Sequence, residues 1–447
     1  MAFYFLPLTF TIDAVTLGYV HIKDMMTKSY NRIRPDTSTD QGVYDYIKDG
    51  WVKETGIKPN VPDYIKPGWM AKGGVSGVWD DLGKLKNPEV SVVVSSHNEI
   101  EKIHNTLVNI EKQSYPVKNV IFSDSNLDKT ESLVNYLSKS FPSLDIIYWS
   151  MDGVTSKADK INHIVDDSNV DLGDLVYFTD IGLDLEPDTI KQLVDEFSEE
   201  NIAAVTSYGI VTPTDSYNSN MYHYGKEWVN RMGKFRKLAQ KHRNAIPVLC
   251  GASFMVKTDV LEDYNLPTDT KTEDTGYTWL LLRNGYKIGF EPDSFVSTED
   301  VKSLNAQLKQ SWRWYSGTWQ NLYRQKEMFG PKSKAKSLAY TTIVPSLIES
   351  VLYTGTVLSL PLLAYYEPEL AQGFLIGDTV LSFAAPVVAP LMSGDSKSIV
   401  KELYKTLRYY PQITVYKILS SALWLGSGAK VGLDVIKKDT DKWSNKW

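Results

Sequence analysis

Carboxylates follow a short hydrophobic segment near the middle of the chain. The apolar run of residues 175–178 leads to Asp180, and Gly182 and Asp184 come two and four residues later. A hydrophobic strand that carries carboxylates at its end offers oxygen ligands to a hard cation such as Mg²⁺ or Mn²⁺. Such a cation bridges two phosphates and stabilises the charge on a departing diphosphate. The segment therefore predicts a place for phosphate chemistry.

Two earlier hydrophobic runs also end in polar residues. Ser96 and Glu99 come after the first run, and Asp124 comes after the second. A carboxylate in this position can accept hydrogen bonds from a uracil imide or from ribose hydroxyls. The alternative is that Asp124 or Asp128 merely caps the following helix, and these residues alone favour the cap.

A lysine opens the next helical stretch, which reads Ser156-Lys157-Ala158-Asp159-Lys160. The Lys157 ammonium would add positive charge where a helix N-terminus already favours phosphate. A solvated surface lysine is an equally good interpretation of this stretch by itself.

An acidic pair stands at the start of a later helix, in the sequence Thr272-Glu273-Asp274. A carboxylate beside a sugar-binding cleft could deprotonate an acceptor hydroxyl. The alternative is a helix cap, with Thr272 as the capping residue and the acids in the first turn.

Three further residues share one face of a predicted helix. Gln310, Arg313 and Trp314 are three and four residues apart, which places them together on a helix. A guanidinium binds phosphate through two hydrogen bonds, and an indole stacks on a sugar ring. The alternative is an aromatic helix that packs on the domain.

The elements that would position these residues alternate between strands and helices. Strands are predicted at residues 91–95, 119–123, 144–149 and 175–179, and helices at residues 99–113, 129–140 and 157–166. This alternation indicates an α/β fold with a mainly parallel sheet and helices on both faces. Ligands of such sheets bind at the carboxyl ends of the strands, where the polar residues fall.

Both ends of the chain contain long apolar segments. Residues 1–20 are apolar except for Asp13 and predict a membrane segment, followed by basic residues up to position 34 and a loop-rich collar over 35–87. Residues 338–366 and 374–392 are long enough to cross a bilayer and back, and residues 411–428 either span or lie in the interface. Lysines flank the pair of spans, which places the catalytic domain in the cytoplasm, and the basic residues that follow the first segment place the N-terminus outside. A buried helical hairpin is the alternative.

Composition narrows the class of protein. The 447 residues include 48 Lys and Arg against 54 Asp and Glu, a net charge of −6, which argues against general nucleic-acid binding. The single cysteine, Cys250, excludes an intramolecular disulfide. Seven basic residues fall between positions 226 and 243, and the spacing of their apolar neighbours predicts an amphipathic helix. This helix either binds a membrane surface or docks on the domain with a solvated basic face.

Together, in this order, these five stretches resemble the processive branch of the family 2 glycosyltransferases, which includes cellulose, chitin and hyaluronan synthases. The resemblance covers residues 88–320, and residues 321–447 correspond to membrane or interfacial helices. It implies a GT-A fold, inversion at the anomeric carbon and a nucleoside diphosphate sugar donor, UDP-linked in the expected case. A glycan or glycolipid would be the acceptor, membrane lipids would surround the spans, and nucleic acid would not be a partner.

The resemblance also implies a role for each motif. Asp274 of the T-E-D motif would be the general base. The donor would be bound by the following residues: Ser96, Glu99, Asp124, Lys157, Asp180, Gln310 and Arg313. The acceptor would contact Trp314 of the Q-x-x-R-W motif, Glu273, and the stretch that begins with Cys250 and Gly251. Asp180 is the first acid of the D-x-D metal motif and Asp184 a substitute for the second, because Gly182 stands at the second position.

Three functions are compatible with these residues. Q-x-x-R-W favours processive polymer synthesis, whereas the small membrane portion favours transfer of a single sugar to a lipid or short glycan. A catalytically inactive scaffold is supported only by Gly182 and is opposed by the intact Thr272-Glu273-Asp274. The identity of the sugar depends on pocket shape and does not follow from the sequence.

Overall fold

The computed structural model of the chain describes these residues: 12–21, 23–24, 87–96, 99–124, 130–150, 156–197, 200–212, 217–301, 303–392 and 399–443. Residues 1–11, most of the predicted collar (35–86) and Asp128 lie outside the described residues. The chain divides into a large unit, Met1–Thr16 with Val78–Trp447, and a small unit, Leu17–Gly77. The fold and the candidate site belong to the large unit.

Eight strands form one mixed sheet. Their bounds are β1 Val90–Ser95, β2 Asn119–Asp124, β3 Ile146–Ser150, β4 Leu175–Asp180, β5 Asp184–Leu185, β6 Ile202–Thr212, β7 Ser253–Lys257 and β8 Lys287–Glu299. The strand order is β3-β2-β1-β4-β7-β6-β8-β5. β1 lies between β2 and β4 and is parallel to both, β3 is parallel to β2, and β8 is parallel to β6. β7 is antiparallel to β4 and β6, and β5 is antiparallel to β8.

Helices cover the sheet and continue beyond it. Residues 12–21 form α1. The helices of the sheet domain are α2 Ile103–Glu111, α3 Thr130–Leu137, α4 Lys157–Asp166, α5 Thr189–Asp195, α6 Tyr217–His242, α7 Thr258–Asp263, α8 Glu273–Asn284 and α9 Leu304–Arg324. A short helix, Lys336–Leu338, and a π-helical turn, Ala339–Ile343, lead into α10 Val344–Tyr366, which is followed by α11 Pro368–Met392 and α12 Ile399–Ile436.

The core lies on both faces of the sheet because side chains alternate along each strand. On one face Val93 packs with residues of α4 and α8, among them Ile161 and Trp279. On the other face Val92 packs with residues of α2 and α5, among them Leu107 and Ile190. Burial on both faces explains why these strands are continuous hydrophobic runs.

The predicted α/β fold with helices on both faces of the sheet is confirmed, and the sheet is mixed, with four parallel and three antiparallel strand pairings. The four strands predicted from the N-terminal part of the domain are present within about two residues of their expected bounds, and they pair in parallel as expected. The antiparallel pairs come from β5 and β7, which the sequence analysis did not assign. Helix α4 begins at Lys157 as expected, because the Ser156 hydroxyl accepts a hydrogen bond from the Asp159 backbone N–H.

The basic helix is docked on the domain, and its charges are largely paired. Asp13 of α1 is 1% exposed and binds Arg236 at 2.8 Å and Arg243 at 2.5 Å. Other basic residues of this stretch pair with Asp300, Asp293 and Glu196. The expected solvated basic face is therefore wrong, and the membrane-surface interpretation does not fit these ion pairs. The one charge in the apolar N-terminal run is explained as a buried partner of two arginines.

The C-terminal helices include two that are long and apolar enough to cross a membrane, Lys336–Tyr366 and Pro368–Val388. They correspond to the two predicted spans. The long helix α12 is kinked at Tyr409, two residues before Pro411, and a proline inside a helix is a common cause of a kink. Lys417 of α12 lies in residues 411–428, the segment that the sequence predicts either to span the membrane or to lie in its interface. Its side chain is buried and bonded to Asp378 of α11.

Candidate functional site

The strand ends bring the predicted donor residues to one edge of the sheet. Ser95 of β1 pairs with Asp180 of β4, and Ser123 of β2 pairs with Ser95. The backbone N–H of Ser96 donates to Ser123 O at 3.0 Å, so the chain leaves β1 directly beside Asp124. Parallel pairing therefore gathers three stretches that are far apart in sequence.

Lys157 and Asp180 form the centre of this edge. The Lys157 ammonium lies 2.5 Å from Asp180 Oδ1 and 2.7 Å from the carbonyl oxygen of Gly251. Lys157 is buried, whereas the Asp180 side chain is 46% exposed and open to a ligand. Burial by itself would lower the pKa of Lys157, but the carboxylates of Asp180 and Glu273 outweigh it, and the pKa is raised.

Asp274 lies on the other side of Gly251. A Cβ atom at Gly251 would be 2.7 Å from Asp274 Oδ2, so only glycine allows this close approach. The Thr275 backbone N–H donates to Asp274 Oδ1 at 2.7 Å, which leaves Oδ2 facing Gly251. The donor-side lysine and the predicted general base are thus joined through one residue.

The acidic pair at the start of α8 holds its protons more tightly than free carboxyls do. Burial, and then the charge of Asp274, raise the pKa of Glu273 to about 7. Burial also raises the pKa of Asp274, although Thr275 and Arg313 act in the opposite direction. The positive charge of Arg313 acts to lower the pKa values of both acids. A carboxyl with a raised pKa is suited to general-base catalysis near neutral pH.

Helix α9 fixes the acidic pair in place. The Asn321 amide donates to both the carbonyl and the hydroxyl oxygen of Thr272 at 3.0 Å. A Cβ atom at Gly317 would lie 2.4 Å from Thr272 Oγ1, so the two helices touch at this point. Thr272 occupies the N-cap position of α8 with both acids in the first turn, as the alternative interpretation expects, but its side chain makes no capping hydrogen bond to the helix.

The predicted nucleoside side contains two residues that the sequence analysis did not single out. Tyr148 OH donates to Asp124 Oδ2 at 2.9 Å, and the Lys160 ammonium donates to Ser96 O at 3.3 Å. Burial lowers the pKa of Lys160 against the attraction of Asp124. Among the described residues, the buried Ser96 hydroxyl has no hydrogen-bond partner. Lys160 lies in the Ser156–Lys160 stretch that the sequence analysis considered for phosphate binding. Nothing in the sequence distinguishes Tyr148 from other residues of a predicted strand.

Gln310 and Trp314 lie in a neighbouring network built on Lys226 of α6. The Lys226 ammonium binds Asp300 Oδ1 at 2.8 Å and Gln310 Oε1 at 3.1 Å, and it lies 5.4 Å from the centre of the Trp314 ring. Gln307 donates to the other Asp300 oxygen. The structure therefore connects the Gln310 side chain to α6 through Lys226. Trp314 presents a partly buried ring beside this network.

The acceptor stretch contributes Cys250, which is partly buried at the end of the loop before β7. Its backbone N–H donates to Thr206 Oγ1 at 2.7 Å. Burial raises the pKa of the Cys250 thiol, opposed chiefly by Lys237 of α6. Burial lowers the pKa of Lys237, against the attraction of Cys250 and Asp274.

The predicted cation ligands do not form a preformed metal site. Asp180 is already bonded to Lys157, and Gly182 adopts φ +77° with no side chain to contribute. Asp184 is exposed on β5, at the far edge of the sheet from β1. Among the described residues, no group of three or more His, Cys, Asp or Glu side chains could hold a metal ion. A Mg²⁺ or Mn²⁺ ion would need oxygen ligands from a bound diphosphate in addition to Asp180.

Comparison with known families gives a match over the sheet domain and α9. Residues 88–317 match the model of the family described as "Glycosyltransferase like family 2". The matched range contains every candidate site residue, from Ser96 to Trp314.

Two curated relatives are named poly-beta-1,6-N-acetyl-D-glucosamine synthase. The protein from Staphylococcus epidermidis (strain RP62A) is 23% identical over 275 residues, which cover 60% of this chain and 63% of the relative. The protein from Staphylococcus aureus (strain COL) is 23% identical over 287 residues, which cover 61% of this chain and 66% of the relative. The similarity thus spans just under two thirds of the length of each relative.

A solved structure shares the fold. A mannosyltransferase from Pyrobaculum calidifontis, in complex with GDP-Man and Mn²⁺, aligns with a TM-score of 0.55 and 18% sequence identity. The alignment covers 92% of this chain and 98% of the mannosyltransferase chain. The likeness therefore extends beyond the sheet domain into the C-terminal helices.

Proposed function

This chain belongs to glycosyltransferase-like family 2, and from that premise we propose that it is an inverting glycosyltransferase that transfers a sugar from a nucleoside diphosphate sugar to a growing glycan. The observation that carries this proposal is the position of Gly251. Its carbonyl oxygen binds Lys157 beside Asp180, and its α-carbon faces the Asp274 carboxylate. A group for the donor diphosphate and a base for the acceptor thus lie on two sides of one residue.

The proposed reaction is a single displacement. Asp274 removes the proton of the acceptor hydroxyl, whose oxygen forms a bond to the anomeric carbon as the bond from that carbon to the diphosphate oxygen breaks. The diphosphate keeps the bonding electrons and leaves with one more negative charge. Lys157 and Arg313 stabilise that charge, in the manner of preorganised donors that act where charge develops.

For the donor, we propose a UDP-linked sugar held by Ser96, Glu99 and Asp124. The relatives named as N-acetylglucosamine polymer synthases support UDP-N-acetylglucosamine, and the GDP-Man in the related structure supports GDP-mannose as the competitor. Incubating the purified protein with each nucleotide sugar in turn, and measuring release of nucleoside diphosphate, tests the proposal. We expect release from one donor above the others. Release from none of them would contradict the proposed function.

For the cofactor, the Mn²⁺ in the related structure supports a divalent cation, Mg²⁺ or Mn²⁺, at the diphosphate. Asp180 would be its protein ligand, and the diphosphate oxygens would supply the rest. Such an ion polarises the phosphate oxygens and offsets charge on the leaving group. Because Asp180 is shared with Lys157 and Gly182 offers no ligand, the ion would be held weakly and would depend on the donor.

Processive synthesis is favoured over transfer of a single sugar. The polymer synthase relatives support it, and so does the arrangement of Trp314 beside the Lys226 network, where an indole could stack on the acceptor sugar. Two candidate spans among the described residues favour the alternative, a single transfer to a lipid or short glycan. The length of products made from labelled donor separates the two functions.

We further propose that the protein is a multi-pass membrane enzyme whose catalytic domain faces the cytoplasm. Residues 336–388 contain the two long apolar helices, and many of their large hydrophobic side chains, such as Leu358 and Tyr365, are exposed. Exposed apolar surface of this extent is expected to contact lipid. Lysines on both flanks of the pair support the cytoplasmic side, and the acidic net charge supports the absence of nucleic acid among the partners.

A further inference from the structure

Lys102 fills the space where the second acid of the metal motif would lie. A Cβ atom built on Gly182 would be 2.3 Å from Lys102 Cδ and 3.2 Å from Lys102 Cγ. The backbone at Gly182 has φ +77°, so this position both disfavours a side chain and lies under the lysine stem. A basic side chain therefore passes through the place that a cation-binding carboxylate would otherwise occupy.

The position of Lys102 is fixed by its backbone. Lys102 ends the 3₁₀ turn Ile100–Lys102, which follows β1. The Thr106 hydroxyl donates to Lys102 O at 2.9 Å and accepts from the Gly182 N–H at 3.0 Å. One hydroxyl thus ties Lys102 to the turn after Asp180, although 80 residues separate the two segments.

The Lys102 ammonium lies among the predicted donor residues. It donates to Glu99 Oε1 at 2.5 Å, and both side chains are partly exposed. An exposed ion pair of this kind contributes little to stability. Its exposure also means that the ammonium can exchange a carboxylate for another anion at low cost.

Charge neutralisation at the site favours such an exchange. The Asp180 carboxylate is matched by Lys157, so this pair carries little net charge to offset a diphosphate. A diphosphate brings two or more negative charges, and a cation-binding set of side chains is absent from the described residues. An ammonium whose stem lies against Gly182, two residues after Asp180, supplies positive charge where a divalent cation would otherwise act.

We propose that Lys102 binds the donor diphosphate in place of the metal ligand that Gly182 lacks. When donor binds, the ammonium moves from Glu99 to a phosphate oxygen, and Glu99 becomes available to the nucleoside. A divalent cation then contributes little to donor affinity, and its proposed role is confined to offsetting charge on the diphosphate as it leaves. This inference depends on the proposed function, because it assumes a nucleoside diphosphate donor.

Calorimetry of the full-length protein in detergent tests the proposal, with UDP and GDP as probes, each in Mn²⁺ and in chelator. We expect the nucleotide that binds the wild type to do so with affinities in Mn²⁺ and chelator that agree within about threefold. Lys102→Gln keeps the stem over Gly182 and removes the charge. It should weaken binding about tenfold or more in both conditions, since hydrogen bonds to charged groups are strong. Lys112→Gln, an exposed lysine at the other end of α2, is the matched control and should bind like the wild type.

A second variant tests whether Lys102 and a cation are interchangeable. Lys102→Ala combined with Gly182→Asp removes the stem that would clash and restores the missing acid. Aspartate is among the residues that tolerate positive φ best. This double variant should bind the nucleotide weakly in chelator and at least about tenfold more tightly in Mn²⁺.

The outcomes separate this inference from the proposed function. Binding of neither UDP nor GDP to the wild type would overturn both. A wild type that binds but loses tenfold or more of its affinity in chelator would overturn the inference alone. Unchanged binding by Lys102→Gln, with a thermal transition like that of Lys112→Gln, would likewise show that Lys102 is only the surface partner of Glu99.

Discussion

At the scale of single residues, Asp274 has the environment of a general base. Its Oδ1 is held by the Thr275 N–H, its Oδ2 faces Gly251, and burial raises its pKa. Asp274→Asn keeps the shape and the Thr275 hydrogen bond but cannot accept the proton. We expect transfer to fall by a factor on the order of 10² to 10⁴, the usual contribution of a general base. Donor binding measured by calorimetry should change little.

Separate measurements of transfer and binding make this prediction specific. Loss of donor binding in parallel with transfer would indicate that Asp274 contributes to the donor pocket. Turnover within a few-fold of the wild type would remove Asp274 from the mechanism.

Glu273 sets the pH range in which that base works. Its pKa is raised to about 7 by burial and by Asp274, so the pair retains a proton below neutral pH. The transfer rate should therefore fall as the pH drops below about 7, because the base must be deprotonated. Glu273→Gln removes one negative charge from beside Asp274. The acidic limb of the pH–rate profile should then move to lower pH, although the residual rate also depends on the role of Glu273 toward the acceptor.

The same shift has a consequence for stability. A carboxyl whose pKa is higher in the folded than in the unfolded protein stabilises the fold at low pH, and this contribution is lost as the pH rises through the folded value. The melting temperature of the wild type should therefore fall relative to that of Glu273→Gln as the pH rises toward about 7. The difference should be largest above that pH. Identical pH dependence of the two proteins, in rate and in stability, would contradict the raised pKa.

At the scale of elements, strand ends and helix starts were predictable from the sequence. Hydrophobic runs followed by Ser96, Asp124 and Asp180 indicated strands that deliver polar residues to one sheet edge, and the structure brings them there. Local signals also placed the start of α4 at Lys157, since a serine cap precedes it. These features depend on residues that are neighbours in the sequence, so they can be predicted from the sequence alone.

Contacts between distant elements were not predictable in this way. The lysine stem over Gly182, the Lys226–Asp300 pair and the Asp13–Arg236 pair each join segments separated by dozens of residues or more. No local pattern distinguishes a lysine that reaches such a partner from one in solvent. The sequence therefore predicted an exposed basic face for α6, whereas tertiary packing buries much of that face.

Helices α11 and α12 are joined by a charge pair within the predicted membrane region. Lys417 is buried and binds Asp378 directly and Ser382 Oγ at 3.0 Å. Lys417→Met should leave Asp378 as an uncompensated buried charge and lower the free energy of unfolding by about 3–5 kcal/mol. Thermal unfolding of the purified protein in detergent measures the effect.

The partner variant separates the loss of the pair from the loss of packing. Lys417→Met combined with Asp378→Leu replaces both charges by apolar groups, which is often neutral for a buried pair. The double variant should recover most of the stability that the single variant loses. A single variant as stable as the wild type would indicate that Asp378 is neutral or hydrated.

At the scale of the whole molecule, α6 and α9 connect the sheet domain to the C-terminal helices. Gly225 of α6 lies against Tyr416 of α12, and a Cβ atom there would be 2.1 Å from the tyrosine Cβ. Trp319 of α9 donates its indole N–H to Trp424 O at 2.9 Å. The helices that carry Gln310, Trp314 and Lys226 thus contact α12 directly.

This arrangement leads to a prediction about membrane topology. The sheet domain and the connection between α10 and α11 should lie on opposite sides of the membrane, because α10 and α11 are each long enough to cross it. Lys112 is exposed on the sheet domain, and Glu369 is exposed in the first turn of α11, next to the connection. In intact cells, an impermeant thiol reagent should label Glu369→Cys but not Lys112→Cys. After lysis it should label both.

The native thiol provides the control for this experiment, since Cys250 is the only cysteine and is partly buried in the site. Labelling of the wild type before and after lysis gives its background. Labelling of Lys112→Cys in intact cells would place the catalytic domain outside. Protection of both engineered cysteines until lysis would mean that α10 and α11 do not cross the membrane, and that their exposed apolar side chains pack against protein or lie along one face of the bilayer.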